Sequence, residues 1–281
     1  LAAAAPQQAD AERPPWMDPQ RMFEQLFGAQ GEVDERILGE IEVPAEEERR
    51  IGRRAVEAYL ASLKSQGTRV VNRGRDVQYL RSLVDKLHPM LEHRARYRSI
   101  QIFLVLSDRV DARSFPGGYL VFFQGLLDKA GNEAALIGIV GHELSHLDRG
   151  HHTRRIKEMK LAQRTFSGQP MAANRFPAVG GVLMRSWLCP FRADFEREAD
   201  LDGARWSYLA GYDCREMGKL FARLAQQNGN VPFAIPEFFR SHPAGPDRQR
   251  AIVEQYQKLQ LSKPNPNLRI GTEELRARGG Q

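Results

Sequence analysis

Long apolar runs are missing from this sequence. The longest, Ala134–Gly141 and Ala178–Met184, fall far short of the roughly 18 residues a membrane-spanning helix needs. This excludes an integral membrane protein as the chain stands. Cysteine is scarce, with Cys189 and Cys214 alone in 281 residues. Two are too few for a zinc ribbon or a disulfide scaffold. A chain this long needs neither, because it buries about 75% of its extended surface on folding. The two cysteines flank a helix expected over 191–210. At about 1.5 Å per residue that helix holds them on the order of 30 Å apart, against the ~7 Å a disulfide tolerates. Two free thiols are expected. A basic stretch followed by an apolar one is also absent at the start, so no intact signal peptide is read.

Charge, by contrast, is plentiful. Basic residues number 41 and acidic residues 35, for a net charge of +6. Of the basic residues 33 are arginine, scattered and usually beside Glu or Asp. Even the group Arg49, Arg50, Arg53 and Arg54 follows Glu46–Glu48. That pattern reads as solvated helix faces with i,i+4 pairs, so no nucleic-acid partner is expected. Apolar residues at 42% and charged residues at 27% are ordinary globular values.

Residues 1–15 (LAAAAPQQADAERPP) read as a flexible leader. Their alanine-rich, polar character and the start at Leu favour an exported protein, periplasmic or secreted, trimmed of a signal segment. A cytoplasmic address stays open. Met22, Phe23, Leu26 and Phe27 form an apolar stripe on a short helix, which either docks on the domain or meets a membrane or partner. Helices follow over 46–66 and 76–92. Ser99–Ser107 and Tyr119–Phe123 are rich in β-branched and aromatic residues and read as strands. The turn signal Pro116-Gly117-Gly118 lies between them. Helices are expected again over 126–130, 133–149, 191–210, 214–228 and 246–261. Residues 167–190 read as a loop whose apolar content suits a lid, a membrane contact or core packing. The order of helices, short sheet and helices gives an α+β fold. The domain is placed at 31–262, between a leader and short helix at 1–30 and a mobile tail at 263–281.

Four of the seven histidines fall within eleven residues: His142, His146, His151 and His152. The segment His142-Glu143-Leu144-Ser145-His146 is HExxH, set in the apolar run ALIGIVGHELSHL. Histidines at i and i+4 project from one helix face and can reach one Zn²⁺ at about 2.0–2.1 Å. Glu143, one step round the helix, suits a general base for a water that zinc acidifies to a pKa of about 7. Two candidates compete for the third ligand. His152 has the +10 spacing of HExxHxxGxxH, but that motif needs Gly at +7, where Arg149 stands. His151 and His152 are read as exposed or supporting residues just past the helix. The second candidate is the helix carrying Glu196-Arg197-Glu198-Ala199-Asp200. Glu196 and Asp200 share a face, so Glu196 can be the third ligand and Asp200 can fix the orientation of a ligating histidine. Glu198 points some 200° away from Glu196.

These residues resemble the gluzincin metallopeptidases of the HtpX, CAAX prenyl protease and BepA-like family. The resemblance runs from about Glu46 to Leu261, through PGGYLVFFQGLL, HELSHLDRGH, FEREADLDGARWSYLAGYD and SHPAGPDR. It implies a zincin-like domain that hydrolyses polypeptides with one zinc. It implies His142, His146 and Glu196 as metal ligands and Glu143 as catalytic acid and base. His242, in the HP…R segment, is implied as a residue near the metal that can fill its open position in self-inhibited members. Arg248 is implied as a catalytic residue that faces the active site and stabilises the transition state. A sheet edge above the metal helix is implied to take substrate as an added strand, and the sequence reading assigns it to Gly117, Gly118, Tyr119, Leu120 and Val121. The spanning helices and helical repeats of some members have no counterpart in this sequence, which favours a stand-alone catalytic domain. Peripheral contact with a membrane or membrane protein is left to residues 16–30 or 167–190. A catalytically quiet module that holds unfolded chains remains the alternative to the peptidase.

Overall fold

The computed structural model describes residues 35–167, 187–227, 237–242 and 247–278. The chain divides into two compact units. The smaller takes residues up to Glu42 and then Lys157–Cys189. Its described part holds the short helix α1 (Glu35–Gly39), with Leu38 and Ile41 buried, and Lys160 Nζ donates to the Glu42 carbonyl at 2.9 Å. The apolar stripe expected over 16–30 and most of the loop expected at 167–190 lie outside the described residues.

The larger unit, Val43–Ile156 and Pro190 onward, carries the chemistry. Helix α2 (Ala45–Ser65) leads into strand β1 (Arg69–Val71) and helix α3 (Arg75–Leu87). Val77, Leu80, Val84, Leu87 and Leu91 recur at helical spacing and are all buried. Strands β2 (Gln101–Leu106), β3 (Ala112–Phe115) and β4 (Tyr119–Phe123) follow. The sheet order is β1-β2-β4-β3, with β2 and β4 parallel and the other pairs antiparallel. Then come α4 (Gln124–Lys129), α5 (Glu133–Asp148), α6 (His151–Ser167), α7 (Ala193–Leu209), α8 (Arg215–Gln227), α9 (Glu237–Ser241), α10 (Arg248–Ser262) and α11 (Thr272–Ala277). Mostly helical with one small mixed sheet, the fold is α+β as the sequence indicates. Cys189 and Cys214 are both free thiols.

Three features differ from the sequence reading. The run Tyr119–Phe123 is an interior strand, hydrogen-bonded on both sides and buried at every residue. Its unbroken apolar character is that of a strand covered on both faces. The sheet's edges are β1 and β3, and the four residues of β3 follow the stretch Asp108–Asp111. Second, α5 does not simply run out: Gly150, at φ +71°, turns the chain, and α6 starts at once with His151 and His152 buried. Third, the chain after Ser262 is docked rather than mobile over its described part. Arg269 N donates to Gly211 O, and Glu133 and Ala134 N–H groups donate to Gly271 and Ile270 carbonyls. Leu275 of α11 is buried.

Candidate active site

The HExxH segment occupies the second half of α5, a helix buried along its whole length. Asn132 caps it, its side chain accepting from Ala135 N at 2.8 Å. Two close approaches fix what stands beside it. A Cβ on Gly203 of α7 would lie 2.6 Å from the Gly138 carbonyl oxygen, and one on Gly141 would lie 2.9 Å from the Gly203 Cα. The two backbones therefore touch at glycine, which sets Glu196 and Asp200 of α7 beside His142.

Four side chains converge. His142 Nε2 lies 3.1 Å from His146 Nε2, 3.4 Å from Glu196 Oε2 and 3.1 Å from His242 Nδ1. His146 Nε2 is 3.6 Å from Glu196 Oε1, and His242 Nδ1 is 3.2 Å from Glu196 Oε2. A tetrahedron with zinc–ligand bonds of about 2.0–2.1 Å has edges of about 3.3–3.4 Å, and these separations of 3.1–3.6 Å lie near that value, with both Glu196 oxygens taking part. The two histidines, a carboxylate and a third histidine fit a borderline-soft divalent ion such as zinc. All four are buried and lie within 4.8 Å of one another by their ligand atoms. Glu196 Oε1 and both carboxylate oxygens of Glu143 are buried without a hydrogen-bond partner, the condition of groups arranged for a ligand rather than for each other.

Each histidine is held from behind. His142 Nδ1 meets Asp200 Oδ1 at 3.0 Å. Arg248 grips both oxygens of Asp200, with Nε at 2.6 Å and Nη2 at 2.7 Å, and its Nη1 donates to the His242 carbonyl at 2.9 Å. Arg248 thus acts on the site through Asp200 and the His242 backbone, and its Nη2 also stands 3.7 Å from Glu196 Oε2. His146 Nδ1 meets His151 Nδ1 at 2.8 Å. His242 follows α9, stacks on Phe238 and points Nε2 at the Ala112 carbonyl of β3, 3.1 Å away. The same Nε2 is 3.2 Å from Glu143 Oε1.

The electrostatics follow from burial set against these partners. Burial disfavours a charged His142, but its hydrogen bonds with Asp200 and Glu196 outweigh that and raise its pKa to about 9. Metal binding there would displace a proton. Burial drives His146 well below its ordinary value against the opposing charge of Glu196. It would raise the Glu196 carboxyl, but His242 and His142 overcome it and hold that carboxyl well below the usual range. Arg248 does the same for Asp200.

The structure thus brings together His142, Glu143, His146, Glu196, Asp200, His242 and Arg248. It does not bring Gly117, Gly118, Tyr119, Leu120 and Val121 to an open edge. Gly117 has φ +77°, and a Cβ there would meet the Arg49 Cα at 2.4 Å, so its missing side chain admits helix α2 rather than substrate. Its N–H donates to the buried Glu48. His152 pairs with Ser114 Oγ at 3.1 Å, outside the group of four. Of the two readings left for His151, exposed or supporting, the structure shows the supporting one. Sequence reasoning missed two participants, the edge carbonyl of Ala112 and Asp111, which accepts from Ser241 beside His242.

Residues 75–256 match Peptidase family M48. The chain belongs to this family. The match covers well over half of the sequence and begins later than the resemblance read from Glu46. The M48 domain is 29% identical over 175 residues to the beta-barrel assembly-enhancing protease of Yersinia pestis, covering 58% of this chain and 35% of that protein. It is 27% identical over 178 residues to the protein of that name from Escherichia coli (strain K12), covering 59% and 36%. Against the mitochondrial metalloendopeptidase OMA1 of Arabidopsis thaliana it is 26% identical over 181 residues, covering 63% and 36%. The matches span about a third of the length of these relatives. Among the described residues no helix is long and apolar enough to cross a membrane.

Proposed function

We propose that the chain is a zinc-dependent endopeptidase acting on unfolded or misfolded polypeptides. The observation that carries this is the convergence of His142, His146 and Glu196, with donor atoms 3.1–3.6 Å apart, and beside them a buried Glu143 carboxylate that accepts no hydrogen bond. His142, His146 and Glu196 would hold the metal. Zinc, when bound, acidifies a water molecule and polarises the scissile carbonyl. Glu143 would take a proton from water at its carboxylate and deliver it to the leaving amine. The Asp200–Arg248 pair keeps the His142 ring turned to the metal. Substrate backbone adds to β3, an edge strand, rather than to β4. The names of the relatives, a protease that enhances assembly and a metalloendopeptidase, support proteins as substrates. We place the enzyme in an exported compartment, which fractionation of tagged cells would check.

His242 holds the enzyme in a resting state. Its Nδ1 stands with the donor atoms of His142 and Glu196 and would be a further ligand, while its Nε2 faces both Glu143 and the edge carbonyl of Ala112. One ring therefore covers the metal corner, the base and a backbone group that substrate would use. The same cover favours a second reading, a latent module that holds unfolded chains without cutting them. Casein cleavage by the unaltered chain and by His242→Ala separates the two. A rise in the variant supports a latent peptidase, and no cleavage by either supports the binding module.

A further inference from the structure

The two metal-facing histidines of HExxH are braced differently, and the brace behind His146 has no place in the chemistry described so far. His151 Nδ1 stands 2.8 Å from His146 Nδ1, and His151 Nε2 stands 3.1 Å from Glu198 Oε2. We propose that Glu198 and His151 form a two-step positioning arm that fixes the tautomer and orientation of His146 for metal binding.

The proton bookkeeping allows one arrangement toward a metal. A carboxylate accepts only, so His151 carries its proton on Nε2. Its Nδ1 is then bare and accepts from His146 Nδ1–H. His146 Nε2 is left with its lone pair, aimed at the corner it shares with His142 Nε2 and Glu196. The rings are also clamped. Phe191 stacks on His146 with centroids 4.2 Å apart at 16°, and Phe195 stacks on His151 at 4.3 Å and 5°. Phe195 and Glu198 both belong to α7, the helix that supplies Glu196. One helix therefore sends Glu196 to the metal corner and Glu198 round to the back of His146. The 200° turn between them, which takes Glu198 off the metal, is what lets it reach His151.

The arm rests on the metal site proposed above, and the test separates the two. Zinc affinity is measured at fixed neutral pH by competition with a chromogenic chelator, for the unaltered chain, Glu198→Gln, Glu198→Ala and His151→Ala. Partners one step behind a ligand are worth 10–100-fold in affinity. Glu198→Ala should bind zinc about tenfold more weakly, and Glu198→Gln, which keeps an acceptor, should lose less. Glu198 is half-exposed, with 49% of its side chain accessible, so melting of the chelator-stripped Glu198 variants should match the unaltered chain. Nitrogen-15 NMR of the zinc-loaded protein should show His151 protonated at Nε2 and bare at Nδ1. Undiminished zinc affinity in Glu198→Ala and His151→Ala, or a His151 proton on Nδ1, would overturn the arm while leaving the metal site standing. An unaltered chain that binds no zinc would overturn the metal site itself, and the arm with it.

Discussion

His142 and His146 sit one helical turn apart in the same motif, yet their supports are opposite in kind. Behind His142 is a closed ion pair: Asp200 is 1% exposed, and Arg248 holds both its oxygens. Behind His146 is a second imidazole that ends on a carboxylate at the surface. The first support is tied into the fold, because Arg248 also binds the His242 carbonyl and stacks over Phe221 at 4.4 Å. The second joins α6 to α7 through a buried imidazole stacked on Phe195, and only its Glu198 end is half-exposed. The difference teaches that stability and metal affinity are separable here. Damage behind His142 should cost both, and damage at Glu198 should cost affinity alone.

The largest effect should fall on neither support. Glu143→Gln should lower casein cleavage by at least ~10²–10⁴-fold, the range for a lost general base, with zinc content unchanged. Retained cleavage would remove Glu143 from the chemistry and make the comparison one of two structural histidines. Next comes Asp200→Ala, which strands a buried guanidinium. Breaking a buried pair in this way costs about 3–5 kcal/mol, read as a lower denaturant midpoint, and zinc affinity should fall with it. A normal midpoint would show that the ion pair is not tied into the fold. Gly203→Ala should cost about 1–3 kcal/mol, because its methyl meets the Gly138 carbonyl and pushes α7 from α5. Since α7 serves both supports, zinc binding should weaken by both routes. The smallest stability effect belongs to Glu198→Ala. An exposed pair is worth about 0–1 kcal/mol, so chemical denaturation of the metal-free chain should barely register it.

Much of this was legible in the residues. The stripes of α2 and α3 and the apolar run of α5 gave helices within a few positions of their observed bounds. The i,i+4 rule placed Glu196 and Asp200 on one face and put Glu198 off the metal. It could not show where Glu198 goes, because its partner His151 belongs to another helix, started by a turn at Gly150. The edge strand β3 escaped for a related reason. Arg113 and Ser114 give β3 no strand-like alternation, and its pairing with β4 is a tertiary fact. The apolar run of β4 announced a strand, but burial on both faces is what that run records. Arg248 was placed at the site by resemblance, and only packing shows that its fork is shared among Asp200, the His242 carbonyl and Glu196.

The central claim is that His142, His146 and Glu196 hold one zinc ion. Metal content by inductively coupled plasma mass spectrometry, measured on the unaltered chain, Glu143→Gln and Glu196→Ala, tests it most directly. The account predicts one zinc per chain in the first two and a marked loss in the third. No zinc in the unaltered chain, or undiminished zinc in Glu196→Ala, would contradict it.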